Sequence, residues 1–163
     1  MKYKNDIVYL ALGSNLRILP FRNVMQILES VKIKIPRLGL RVIDTSKNWQ
    51  TNPIPFKNIP KFINCVIKCL IVNKQVHNPH VLLEKIKSLE FAMGRKKNIY
   101  NFSRVIDIDI LDFRGEVLND NLILPHPRMH LRKFVLNPMN TIARNWKHPI
   151  IRKKIDYLVA KIK

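Results

Sequence analysis

Glycine and acid are both scarce in this chain. Its 163 residues include four glycines (Gly13, Gly39, Gly94 and Gly115) and 11 acidic side chains against 30 lysines and arginines. Four isolated glycines can build neither a GxxxxGK[ST] loop nor a GxGxxG loop. A polyphosphate bound here must therefore be held by side-chain cations and metal ions. No run of about 18 apolar residues occurs, which argues against a membrane span. The opening stretch MKYKNDIVYLALGSNL carries an acid and polar residues too early for a secretory signal, so a cytoplasmic location is expected. Cysteine occurs twice, at Cys65 and Cys69 in FINCVIKCLIV. On one strand their Cα atoms lie ~13 Å apart, beyond the ~7 Å reach of a disulfide. Reduced core thiols are expected, as in a reducing compartment.

The shortage of acid leaves a net charge of +19. Such a charge suits nucleic acid or a small anionic substrate. It also follows from compositional drift, since lysine, isoleucine and asparagine are abundant throughout and the cations are not gathered in one tail or helix.

The pattern along the chain predicts a single domain over residues 1–163, with no repeat and no linker. DIVYLALGSN reads as a first strand ending in a turn at Gly13. Val24, Ile27, Leu28, Val31 and Ile35 fall at helical spacing over 21–34, with Pro20 set to start the helix. Residues 40–48 read as a second strand, NWQTNPIPFKNIPKF as a long proline-rich loop, and 62–72 as a third strand. Asn78-Pro79 is a cap-plus-first-turn signature for a helix carrying Leu82, Ile86, Leu89 and Met93 and stopping at Gly94. RKKNIYNFS is a cationic loop. A fourth strand follows, then a hairpin around Gly115, a short helix from Asn137-Pro138 through Ala143, and a closing helix over 150–161. The order β-α-β-β-α-β argues for an α+β, mostly antiparallel sheet with packed helices.

The fourth strand, RVIDIDIL, is apolar except for Asp107 and Asp109. Alternation along a strand points both carboxylates the same way, with Cα atoms about 6.6 Å apart. Like charges that close repel unless cations stand between them. Paired carboxylates are hard oxygen donors suited to Mg²⁺, which takes one or two of them plus substrate phosphates. Arg95, Lys96, Lys97 and Arg104 precede the pair, and His126, Arg128 and Arg132 follow it. Glycosyltransferases, polymerases and nucleases also carry DxD strands, so the motif alone leaves the reaction open.

Six segments narrow it. ALGSNL (11–16), WQTNP (49–53), FIN (62–64), LEFAMGR (89–95), RVIDIDIL (104–111) and LPHPRMHLRKFVLNPMNTIA (124–143) occur in the order seen in 6-hydroxymethyl-7,8-dihydropterin pyrophosphokinases. The chain resembles that folate-pathway family from near residue 8 to about 148. The resemblance implies a ferredoxin-like fold and transfer of the β,γ-pyrophosphate of ATP to the pterin hydroxymethyl group, with release of AMP. It implies that Asp107 and Asp109 hold two Mg²⁺ ions and that Arg95 and Arg104 contact the phosphates in catalysis. Glu90, Lys97, His126 and Arg132 would complete the ATP site; Thr51, Pro53, Asn64 and Phe134 would form the pterin pocket. The expected partners are these two small molecules, taken up by a monomer with no nucleic acid and no membrane. Two loops depart from the family pattern. Phe102-Ser103 replace the usual Gly-Pro before the strand arginine, and Ile54-Pro55 stand where a glycine is common. The alternatives are a basic RNA-binding ferredoxin-like domain, or another Mg²⁺-dependent nucleotidyl or phosphoryl transferase. Against the RNA module, no RNP-like aromatic pair stands on a strand.

Overall fold

The computed structural model describes residues 6–52, 60–95 and 103–162. Four strands form the body of one antiparallel sheet: β1 (Ile7–Ser14), β2 (Leu40–Thr45), β4 (Phe62–Ile71) and β5 (Asp107–Phe113), in the order β2-β4-β1-β5. With α1 (Val24–Lys34) after β1 and α2 (Pro79–Ala92) after β4, the path is β-α-β-β-α-β, as expected from the sequence.

Alternation along the central strands builds two cores. Val8, Leu10 and Leu12 of β1, with Cys65, Ile67 and Cys69 of β4 and Ile108 and Ile110 of β5, face α1 and α2. Both cysteines are buried free thiols, pushed up to about 11 and 12 by burial. On the opposite face, Tyr9, Val66 and Leu111 meet α3 (Lys133–Ile142) and α4 (Ile155–Lys161) through Val135, Leu136, Met139, Ile155 and Leu158. This second cover extends only part of the way along the strands. Beyond it Gly13, Asn64, Asp107 and Asp109 occupy the same face, and among the described residues they belong to neither apolar cluster, because their side chains are polar or absent.

Several boundaries differ from the expectations. The first helix starts at Val24, not near Pro20, because the side chain of Asn23 accepts from the Gln26 amide at 3.0 Å and caps it. Within the proline-rich stretch, Trp49–Thr51 form strand β3 against Phe62–Asn64 of β4. Asn78 caps α2 as expected, accepting from the His80 amide at 2.9 Å. Gly115 lies in a turn with φ of 75°, but the hairpin pairs β6 (Leu118–Asn119) with β7 (Ile123–Leu124) farther on.

Pro138 does not open a helix; it lies inside α3, which begins at Lys133. Having no N–H, Pro138 cannot bond back one turn, a loss offset by the burial of Val135, Leu136, Pro138 and Met139 on one face. This earlier start matters: it puts Arg132 and Phe134 at the helix entrance. The closing helix starts at Ile155 rather than 150, because residues 147–154 form a tight loop joined at Lys147 and Lys154.

Candidate active site

The open half of the second sheet face gathers most of the residues singled out from the sequence. Asn64 on β4 stands opposite Trp49 of β3 on one side and Gly13 of β1 on the other; Gly13 in turn stands opposite Asp107 of β5. Asp109 faces Ala11 in the next row. Small residues therefore lie between the asparagine and the carboxylates. At Gly13 that smallness is required, since a Cβ there would meet Asn64 Oδ1 at 2.9 Å. The Asn64 side chain donates from Nδ2 to Thr51 Oγ1 at 2.8 Å, which fixes the orientation of the amide.

Each aspartate is held by its own pair of nitrogen donors. Asp107 accepts from Arg95 Nη1 at 2.9 Å and from Arg104 Nη1 at 2.7 Å. Asp109 Oδ2 lies 3.3 Å from Arg132 Nη1 and 3.6 Å from His126 Nε2. These contacts separate the two like charges. The side chains of Asp107 and Asp109 remain 27% and 36% exposed, so their free oxygen positions are open to a ligand.

Glu90 serves from below. It is buried on α2, accepts from the Ile108 amide at 2.7 Å and pairs with Arg95. Burial pushes its carboxyl above the usual range, while Arg95 and the Ile108 amide pull it back. Burial works against the charge of Arg95, but Asp107 and Glu90 together hold its guanidinium above its ordinary value. His126 is pushed down, mainly by burial and further by Arg132, with Asp109 opposing. Its Nδ1 accepts from the Arg128 amide at 3.1 Å, so the neutral ring carries its proton on Nε2, toward Asp109 and Arg132. The Arg132 guanidinium also lies over the Phe134 ring, 5.5 Å from its centroid. Phe134 thus joins the Arg132 side of the face to the Asn64 side, where α3 packs on β3 and β4.

Pro53 and Lys97 lie outside the described residues, as do Ile54-Pro55 and Phe102. The other ten site residues expected from the sequence all belong to this face or support it. Sequence reasoning overlooked Asn15, although it quoted the ALGSNL segment that contains it. Asn15 is buried, accepts from the Arg104 amide at 2.6 Å and donates to the Pro60 carbonyl at 3.1 Å. Beside it Ser14 Oγ donates to the Val105 carbonyl. These bonds tie the end of β1 to the backbone that presents Arg104. The available signal was a pair of polar residues ending an otherwise buried strand. Phe62 was also passed over as a site side chain; its ring lies 3.9 Å from where a Gly13 Cβ would be.

Comparison with known proteins identifies the family. Residues 9–144 match the family model of 7,8-dihydro-6-hydroxymethylpterin-pyrophosphokinase (HPPK). The chain belongs to that family. It is 36% identical over 152 residues to the 2-amino-4-hydroxy-6-hydroxymethyldihydropteridine pyrophosphokinase of Aquifex aeolicus, covering 91% of this chain and 87% of that protein. To the protein of the same name from Bacillus subtilis it is 32% identical, covering 86% of this chain and 80% of that one. It is also 36% identical to the folic acid synthesis protein fol1 of Pneumocystis carinii, over 97% of this chain but 20% of that protein. The chain thus spans about a fifth of the length of the fungal relative and most of each bacterial one.

Proposed function

We propose that the chain transfers the β,γ-pyrophosphate of ATP to the hydroxymethyl oxygen of 6-hydroxymethyl-7,8-dihydropterin and releases AMP. One observation carries this reading: two half-exposed carboxylates flanked by Arg95, Arg104, Arg132 and His126 share a sheet face with the oriented amide of Asn64. A polyphosphate needs the first group, and a flat polar heterocycle needs the second.

The donor set of Asp107 and Asp109 fits Mg²⁺, being two hard oxygen ligands with open positions beside small residues. Two Mg²⁺ ions held there would neutralise phosphate charge as the reaction proceeds. The rest is done by the chain. Arg95 and Arg104, now spent on Asp107, are free to turn to phosphate oxygens once that carboxylate has another partner. Glu90 keeps Arg95 from swinging away, and Asn15 fixes the backbone of Arg104. His126 and Arg132 hold the opposite end of the phosphate chain. Asn64 reads the donor–acceptor edge of the pterin while Phe134 covers a face of its ring. The hydroxymethyl oxygen attacks the β-phosphorus and gives up its proton to solvent, the α–β bridge breaks, and the bridging oxygen leaves with AMP. Alignment of the two substrates supplies most of the acceleration in such transfers. No covalent intermediate is needed.

Chromatography of the nucleotide pool after incubation with ATP, Mg²⁺ and the pterin tests this. AMP that appears only with the pterin is expected. ADP would mean simple kinase chemistry, free pyrophosphate a nucleotidyl transfer, and either overturns the proposal. The basic surface has a simpler account in composition than in RNA, because the paired acids occupy the sheet face an RNA would use.

A further inference from the structure

Two buried imidazole nitrogens outside the acid pair have no hydrogen-bond partner among the described residues: Nδ1 of His130 and Nε2 of His148. The His148 side chain is 3% exposed. Its Nδ1 accepts from the amides of Ile150 and Ile151, both at 3.2 Å, so the neutral ring must carry its proton on Nε2. A buried N–H of this kind needs an acceptor. The rings of His130 and His148 stand 5.7 Å apart between centroids, with an interplanar angle of 86°. A linear imidazole–imidazole N–H···N bond has centroids roughly 5 Å apart, so the separation of these two rings is within ~1 Å of a bonded pair's. A metal ion does not suit the pair. A metal-bound imidazole donates its second N–H, whereas Nδ1 of His148 already accepts from two amides.

We propose that His148 donates its Nε2–H to Nδ1 of His130, and that this bond positions His126 and Arg132 for the nucleotide. His130 sits in the 3₁₀ turn Met129–Leu131, which has no side-chain cap of its own. The turn runs directly between the two nucleotide-side residues: the Met129 amide donates to the His126 carbonyl at 3.1 Å, and the Arg132 amide to the Met129 carbonyl at 3.2 Å. His148 is a firm anchor for it. The loop around His148 is closed by its amide on the Lys153 carbonyl at 2.9 Å, and by the Arg152 amide on its own carbonyl at 2.8 Å. The C-terminal loop thus braces the turn that carries the grip on Asp109. The positioning role rests on the reading of His126 and Arg132 as nucleotide ligands.

Imidazole ¹⁵N spectra of the whole protein, with His130→Leu and His130→Asn beside it, test the proposal. Asn keeps an acceptor near the Nδ1 position, and Leu removes it. In the parent protein the His148 Nε2–H is expected to exchange slowly with solvent, and His130 to carry its own proton on Nε2. His130→Leu should shift the His126 ring resonances and raise the KM for ATP about tenfold, the loss of one positioned hydrogen bond, with the KM for the pterin unchanged. His130→Asn should leave both within about twofold of the parent. A proton on Nδ1 of His130 would overturn the bond. An unmoved His126 in His130→Leu, or equal effects of Leu and Asn, would overturn the positioning role. If the parent forms no pterin-dependent AMP, the proposed function fails on its own, and the ring spectra of His126, His130 and His148 still decide the pair.

Discussion

Asp107 and Asp112 lie at opposite ends of β5 and are held by different chemistry. Asp112 is 3% exposed, accepts from Trp146 Nε1 at 2.7 Å and from the Gly115 amide at 3.1 Å, and rests on neutral dipoles. Burial pushes its carboxyl up, and those two bonds pull against the rise. Asp107, like Asp109 near it, is half-exposed and held by arginines. Fixed dipoles in a packed core cannot be exchanged for a ligand. Mobile guanidinium groups at an open face can. One strand therefore contains a carboxylate fixed in the core and a pair left open to a ligand, and the cover laid by α3 and α4 separates the two.

Four experiments bear on that contrast. The largest effect is expected at the open end. Asp107→Ala and Asp109→Ala should each lower AMP formation by about 10³-fold or more, as loss of a charge-organising group does. The unliganded fold should barely notice, because exposed ion pairs contribute about 0–1 kcal/mol. Thermal melts with activity assays would show it, and a large stability loss with activity kept would erase the distinction between the two ends.

Asp112→Ala should do the reverse. Trp146 Nε1 and the Gly115 amide would lose their acceptor, costing roughly 2–3 kcal/mol in urea unfolding. Calorimetry should find MgATP affinity within about twofold of the parent. Unchanged stability with lost ATP binding would place Asp112 in the reactive group.

Asn64→Ala extends the contrast across the face. It should weaken the pterin by about 2 kcal/mol, because a ring edge is left unpaired, and weaken the nucleotide far less. Separate titrations with each ligand would read the difference, and equal losses would make Asn64 a support for the sheet.

The fourth test varies pH. Burial, with His130 nearby, pushes His148 down to about 4 from 6.5. The unfolded chain therefore binds this proton first, so stability is full above about pH 6.5 and declines as pH falls toward 4. Urea midpoints measured across that range should slope less in His148→Gln than in the parent. Identical slopes would show that His148 does not contribute to the decline.

The sequence made β1, β4, β5 and the capped α2 legible because each pairs a strong periodic signal with a local marker, such as Asn78 before Pro79. It misled at α3, where Asn137-Pro138 imitates a helix start and the true start at Lys133 has no side-chain cap. There, burial outweighed the local signal. Strand β3 was hidden among prolines because three residues carry too little pattern. The acid pair could be read from its spacing alone, whereas the cations that hold it could not be matched to it, since Arg95 and Arg132 arrive from elements 12 and more residues away. Asn15 escaped because its work is done through the backbone of Arg104 and Pro60, contacts that sequence spacing does not encode.

The most direct measurement of the central claim is product chromatography run in parallel on the parent, Asp107→Ala and Asp112→Ala, with ATP, Mg²⁺ and 6-hydroxymethyl-7,8-dihydropterin. The parent and the folded fraction of Asp112→Ala should give AMP and pterin diphosphate, and Asp107→Ala should give almost none. ADP as the main product of the parent, or AMP formation that survives in Asp107→Ala, would contradict the account.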